Sequence, residues 1–233
     1  MSAAVADVQD RLRSAHAIVV GAGALGSPVC LYLAAAGVGH IGVVDDGSVE
    51  QPDVRRQPLH FTPDLGVPKA QNAAVKLRAL NPDVQVDPYP ARLDEQNGEA
   101  IVMGADLVVD CTGGPGHAVN DACCAARVPL VTGGVSGLTG FALTVLPGET
   151  ACLRCASPAE HSTGSPALFG ALAGLVGSIQ ALEALRMLSG LGSALAGTLL
   201  GIDGATMEQT RVATSRLPGC NSCEAVPAAA QSA

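Results

Sequence analysis

The sequence predicts an α/β protein: a doubly wound, Rossmann-like, mostly parallel sheet, antiparallel strands towards the C-terminus, and a four-cysteine zinc staple. Three observations lead there. Short apolar runs alternate with helical stretches over the first 132 residues, the order that builds a parallel sheet. Gly21, Gly23 and Gly26 in GAGALGSP fit G-x-G-x-x-G between an apolar run and a helix. Cysteines pair as Cys152 and Cys155 in CLRC, and as Cys220 and Cys223 in CNSC.

The elements follow in order. Residues 1–16 are polar and lack the apolar core of a secretory leader. Residues 17–20, AIVV, are a continuous apolar run closed by Gly21, as a buried parallel strand is. Residues 27–36 predict a helix that Gly37 and Gly39 stop, and 40–45 a second strand. Residues 47–68 are rich in Pro, Asp and Arg and predict an irregular, functional segment. A helix over 69–80, strands over 84–90 and 106–110, a Gly-rich turn, a helix over 117–127 and a strand over 129–132 complete the alternation. A strand at 141–146 leads into CLRC, a long helix covers 168–188, and 198–202 with 206–213 form a hairpin about Asp203-Gly204. Residues 1–223 read as one domain and 224–233 as a disordered, low-complexity tail.

Composition narrows the class. Hydrophobic residues make up 48% and charged residues 15%, enough for a core. Aromatics are only 2%, so Ala, Val, Leu and Gly do the packing and elements should approach closely. A net charge of −8 argues against nucleic acid as partner. The apolar stretch 166–182 contains Gly170, Gly174, Gly177, Ser178 and Gln180 and stops at Glu183, so it reads as a buried helix rather than a membrane span. The expected compartment is the cytoplasm, where paired cysteines bind metal rather than form disulfides. Four thiolates close a tetrahedral zinc site, a structural role. Cys30, Cys111, Cys123 and Cys124 read as packing residues; the five histidines show no ligand spacing, and His60 reads as structural.

The glycine loop lets backbone approach a phosphate, and the following helix N-terminus favours its charge. Asp45 ends the second strand, where an acid accepts hydrogen bonds from ribose hydroxyls. NAD and ATP both satisfy these features. Arg55, Arg56 and Lys69 favour a triphosphate, whose outer groups need cations; a dehydrogenase has no such need there.

The succession GAGALG, VVDDGSVEQPDVRRQ, GVPKA, DCTGG, CLRC, GSIQALEALRML and GCNSC resembles the ThiF/MoeB family, bacterial relatives of ubiquitin-activating enzymes, from residue 17 to 223. The resemblance implies an ATP-dependent adenylyltransferase acting on the C-terminal glycine of a small ubiquitin-like (β-grasp) sulfur-carrier protein. It implies Gly21, Gly23, Ala24 and Gly26 along the phosphates, Asp45 on the ribose, and Arg56 and Lys69 as the catalytic cations. Asp53 joins the nucleotide-binding set, with MgATP as substrate, zinc as cofactor and a homodimer as the assembly.

Several positions depart from the family pattern. Gly47 stands where a second acid is expected, Asp53 replaces an Asn, and Gly113 and Gly114 replace the Asp-Asn of D-x-x-D-N, whose Asp handles magnesium. The stretch HSTGSPALFG has Thr163 near the place of a transfer cysteine, and Arg11 and Arg13 lie too close to the first strand to be the Arg that reaches a partner subunit. Loss of the cysteine argues against covalent transfer; loss of the acid argues against fast adenylation. Asp46, Asp53 and Asp110 are candidates to take over the magnesium. Two alternatives therefore stand beside the enzyme: a catalytically weakened nucleotide-binding scaffold or inactive half of a hetero-oligomer, and an NAD-dependent oxidoreductase.

Overall fold

A computed structural model describes residues 3–113, 116–156 and 169–224; Gly114, Thr163 and the tail from 225 lie outside these. The strands are β1 (His16–Val20), β2 (His40–Val44), β3 (Gln85–Tyr89), β4 (Leu107–Asp110), β5 (Leu130–Ser136), β6 (Thr139–Val145), β7 (Thr198–Asp203) and β8 (Gln209–Ala213). The helices are α1 (Ala3–Ser14), α2 (Gly26–Ala36), α3 (Lys69–Leu80), α4 (Gly98–Val102), α5 (His117–Ala126), α6 (Leu153–Ala156), α7 (Gly170–Leu188) and α8 (Asn221–Glu224). One sheet takes the order β3-β2-β1-β4-β5-β6-β7-β8. Its first five strands pair in parallel and the rest antiparallel, as expected.

Strand alternation explains the two layers. Ala17 and Val19 point into a core shared with Leu33 of α2, Leu77 of α3 and Val176 of α7. Ile18 and Val20 point the other way, into a core shared with Val102 of α4, Cys123 of α5 and three of the paired cysteines. A strand buried on both faces must be apolar throughout, as AIVV is. After β1 the chain runs outward to β2 and β3, then returns on the far side of β1 to β4. The carboxyl ends of β1 and β4 thus flank a switch point, where doubly wound sheets open a crevice.

Small residues bring the elements close. A side chain at Gly177 would place Cβ 2.4 Å from the Leu25 carbonyl, so only glycine lets α7 cross the start of α2. Helix α7 is the one described helix long and apolar enough to cross a membrane by length and composition. In the fold it is a core helix with two buried polar anchors. Gln180 donates from Nε2 to the Asp110 carbonyl at 2.7 Å. Glu183 accepts from Thr144 Oγ1 at 3.1 Å, Ser193 Oγ at 2.6 Å and the Leu195 N–H at 3.2 Å.

Several boundaries differ from the expectation. The sequence stopped the fifth strand at 132, before Gly133-Gly134, yet β5 continues to Ser136. Those glycines admit neighbours rather than break the strand: Cβ at Gly133 would meet Gln180 Cδ at 2.9 Å. The hairpin turn is longer than Asp203-Gly204, because Asp203 Oδ1 accepts the Ala205 N–H at 2.8 Å and Met207 takes φ +64°, delaying β8 to Gln209. Helices α1, α4, α6 and α8 were not anticipated; three of them are only four or five residues long.

Gln180→Ala removes the bond that fastens α7 to the end of β4 and leaves a hole at a fully buried position. It should lower stability by about 2–4 kcal/mol, a fall of roughly 4–16 °C in a thermal melt at this chain length. An unchanged melting temperature would show that α7 is held by its apolar face alone.

Candidate active site

The three loop glycines do different jobs. Gly21 has φ +97°, donates its N–H to the Val44 carbonyl at 2.7 Å, and has no room for Cβ, which would lie 2.7 Å from the Cys111 carbonyl. Gly26 begins α2 so close to the turn that its Cβ would fall 1.8 Å from the Gly21 carbonyl. Gly23 is different: its Cβ would meet only Gln57 Nε2, at 3.8 Å. Two glycines therefore build the turn, and the third leaves space at its surface.

That surface is the wall of a cavity of about 830 Å³ lined by Gly21, Gly23, Ala24, Asp45, Arg56 and Lys69 among others. The structure thus gathers most of the sequence-predicted set; Gly26 and Asp53 are not among the lining residues. Asp45 cross-links the crevice. Its Oδ2 accepts the Ala22 N–H and its Oδ1 the Gly47 N–H, both at 2.8 Å. Each oxygen keeps a lone pair for a further donor. His60 buttresses the same loop from behind. It is buried, with Nε2 2.8 Å from the Ala22 carbonyl and Nδ1 2.8 Å from Asn72 Nδ2. Burial first, then the charges of Lys69 and Lys76, push its pKa down against the Ala22 hydrogen bond, so it is a neutral ring donating from Nε2.

The segment 47–68 carries two 3₁₀ turns, Asp53–Arg55 and Thr62–Asp64. The first places Asp53 beneath the cations. Asp53 Oδ1 accepts from Arg56 Nη2 at 3.0 Å and Gln57 Nε2 at 2.7 Å; Oδ2 lies 2.9 Å from Lys69 Nζ. Burial raises its pKa, but the Lys69 hydrogen bond, the Glu50 amide and the charges of Lys69 and Arg56 hold the carboxyl below the ordinary range. Lys69 opens α3, its N–H on the Gly47 carbonyl at 2.9 Å.

Asp110 does not reach the cavity. Its Oδ1 accepts from the Thr112 N–H and hydroxyl, its Oδ2 from Thr132 Oγ1 at 2.9 Å, and burial raises its pKa. Gly116 closes over it: a Cβ there would stand 2.1 Å from Asp110 Oδ2. Gly113 lines the cavity with φ +71° and open space around it. Exposed Asp46 is also on the wall. Sequence reasoning missed Gln57, Arg92 and His117, all lining residues. Arg92 follows β3 and His117 opens α5, so both sit at carboxyl ends or helix starts facing the crevice, a placement visible only from the strand order. Arg11 and Arg13, exposed on α1, pair with Asp7 and Asp10 and do not line the cavity.

The four paired cysteines converge. Their sulfurs lie within 4.8 Å of one another. Cys152 is 3.8 Å from Cys155 and 3.7 Å from Cys220, and Cys155 is 3.5 Å from Cys223. A tetrahedron with zinc–sulfur bonds of ~2.3 Å has edges of ~3.8 Å, so the thiolates fit zinc. The Leu217 N–H points at Cys155 Sγ, 3.3 Å away. Both knuckles are tied to α5: Asp121 accepts from Arg154 Nη2 at 2.6 Å and Ser222 Oγ at 2.5 Å, and Asn120 Oδ1 accepts the Leu153 N–H at 2.8 Å. Cys30, Cys111, Cys123 and Cys124 are buried, although Cys111 also touches the cavity.

Residues 1–223 match the ThiF family. The chain belongs to the ThiF family. Among curated ThiF relatives, the SAMP-activating enzyme E1 of Haloferax volcanii is 41% identical over 223 residues, covering 92% of this chain and 82% of that protein. The sulfur carrier protein adenylyltransferase of Thermus thermophilus is 42% identical over 228 residues, covering 92% and 84%. Against the adenylyltransferase and sulfurtransferase MOCS3 of Drosophila sechellia, at 36% identity, the chain spans about half the relative's length. Among solved structures, E. coli MccB with ATP superposes with a TM-score of 0.82 at 23% identity, over 94% of this chain and 69% of that one. That likeness shows the fold. Within this ThiF domain, the Gly47 position is tight for an acid: a Cβ would lie 3.1 Å from Asp45 Oδ1 and 3.7 Å from Lys69 Cδ.

Gly26→Ala should cost at least about 3 kcal/mol, because backbone cannot yield at 1.8 Å. Gly23→Ala should fold with near wild-type stability yet lose nucleotide affinity by about tenfold or more, since its methyl enters the cavity. Thermal melts and calorimetry on the two variants separate turn from ligand surface; equal losses of stability would contradict the assignment.

Reduced protein should contain about one zinc per chain, and Cys220→Ser should release it and lower the melting temperature, because metal binding and folding are coupled at a closed site. Elemental analysis finding no zinc in freshly purified protein removes this assignment.

Proposed function

We propose that this ThiF-family chain is an ATP-dependent adenylyltransferase that activates the C-terminal glycine of a small ubiquitin-like sulfur-carrier protein. The observation that carries the reading is the pair Arg56 and Lys69, brought to the wall of one cavity beside the glycine loop and Asp45. The named activities of its relatives support it. NAD carries no terminal phosphate for these two cations to meet.

The reaction follows from the layout. Gly23 and Ala24 lie along the phosphates and Asp45 accepts from the ribose. A carrier carboxylate oxygen attacks the α-phosphorus, the bond to the β-phosphate oxygen breaks, and pyrophosphate leaves as the acyl-adenylate forms. Arg56 and Lys69 stabilise the charge moving onto pyrophosphate, fixed cations that need no reorganisation. Magnesium would offset triphosphate charge when bound, but the residues present do not form the family's site: Gly113 has no ligand and Asp110 faces Thr112 and Thr132. No step is assigned to it. The four-cysteine site holds zinc as a brace for α5, outside the chemistry. A homodimer in the cytoplasm completes the proposal, the compartment supported by eight cysteines with no disulfide among them.

Gly113 supports a second reading, a scaffold that binds ATP with weakened chemistry. One experiment separates the two. Wild type, Gly113→Asp and Asp110→Asn are assayed for ATP–pyrophosphate exchange with a carrier ending in glycine, and for ATP and NAD binding by calorimetry. ATP should bind in preference to NAD, and wild type should exchange slowly. Gly113→Asp should gain about tenfold, equal to ~1.4 kcal/mol of barrier, because Asp tolerates positive φ better than most residues. Asp110→Asn should change stability more than rate. ATP binding without exchange in all three makes the chain a scaffold; tight NAD binding without ATP binding overturns both readings.

A further inference from the structure

We infer that Asp53 is a built-in counter-anion for the two phosphate-facing cations, setting how tightly the site holds a triphosphate and how readily it releases pyrophosphate. The inference rests on the ATP reading above and goes further, since it concerns a residue that reaches no ligand.

Asp53 is 3% exposed and is not among the cavity-lining residues, whereas Arg56, Gln57 and Lys69 are. Its carboxylate is fully engaged from within the protein. Oδ1 accepts from Arg56 Nη2 at 3.0 Å and Gln57 Nε2 at 2.7 Å. Oδ2 accepts the Glu50 N–H at 3.1 Å and pairs with Lys69 Nζ at 2.9 Å. Two cations and one carboxylate leave this cluster with a single net positive charge instead of two. The same contacts fix both side chains in place, so the anion positions the cations while it attenuates them.

A neighbouring atom marks the carboxylate as unusual. Gln57 Oε1 is buried without a hydrogen-bond partner. Gln57 must turn its amide N–H towards Asp53, because a carboxylate only accepts, and its own oxygen is then stranded. An asparagine at 53 would resolve this. Its oxygen could keep the Glu50 amide and Lys69, its NH₂ could donate to a turned Gln57 Oε1, and Arg56 alone would be released. The site therefore accommodates the neutral residue at least as well in hydrogen-bond terms, and what the carboxylate adds is charge. Asp53 is a positioning residue that weakens the grip on the β and γ phosphates, and so on the pyrophosphate product.

The test uses Asp53→Asn and, as a smaller neutral variant in case the amide does not fit, Asp53→Ser. Calorimetry with ATP, inorganic pyrophosphate and AMP is run on each and on wild type at low and high salt. Removing one negative charge at this range in a partly buried setting should tighten ATP and pyrophosphate on the order of tenfold, with AMP changing less than about twofold. The gain should shrink at high salt. A residue that merely supported the loop would shift all three ligands in the weaker direction. Folded neutral variants that bind ATP and pyrophosphate no more tightly than wild type overturn the inference. Wild type that binds AMP and ATP equally, or neither, overturns the underlying phosphate assignment of Arg56 and Lys69 instead.

Discussion

Everything at the carboxyl edge of the sheet depends on how closely the backbone of residues 21–26 can lie against its neighbours. Gly21 touches the ends of both β2 and β4, through the Val44 carbonyl and the Cys111 backbone, and Gly26 starts α2 against the carbonyl of Gly21 itself. A side chain at either position would push the helix off the strands. Because the turn is this tight, the Ala22 amide comes within reach of Asp45, and the Ala22 carbonyl within reach of His60. One short loop thus joins β1, β2, β4, α2 and the irregular segment, and the cavity is the space left above it.

Two further braces fix the cavity walls. On one side, buried Asp53 gathers Arg56, Gln57 and Lys69 from the 3₁₀ turn and the start of α3. On the other, α5 presents His117, Ala118 and Val119 to the cavity while Asn120 and Asp121, the next residues along, hold both cysteine knuckles. The cysteine cluster joins the end of the chain to the helix that borders the site. A metal held by that cluster would act on the site through α5 rather than through chemistry. Leu153 of the first knuckle also packs where a Cβ on Gly116 would stand, 3.2 Å away, beside buried Asp110.

The parallel half of the fold was legible because buried strands of β-branched residues and glycine-stopped helices leave period and punctuation in the sequence. The boundaries of α3 matched those expected, since Pro68 and the polar start of the helix define its first turn. The paired cysteines were legible by spacing alone. What escaped depends on tertiary contacts. The continuation of β5 through two glycines needs Gln180 lying on them. Arg92 and His117 face the cavity only because β3 and α5 come to the same edge in the strand order. The resemblance put Asp53 in the nucleotide-binding set; the 3₁₀ turn instead buries it behind the cavity wall, and no pattern in the sequence distinguishes those outcomes. Asp110 was expected near the metal, but Thr112 and Thr132 supply enough donors to hold its carboxylate inside the protein.

In the proposed reaction this cavity joins a carrier's terminal carboxylate to the α-phosphate of ATP. Intact-mass spectrometry of a glycine-ending carrier, incubated with the zinc-loaded protein and ATP and quenched in acid, reads that product directly. The expected product is a carrier species heavier by AMP minus water, formed only with ATP and lost with Lys69→Ala. A carrier mass unchanged by ATP, with ATP itself shown to be bound, would contradict it.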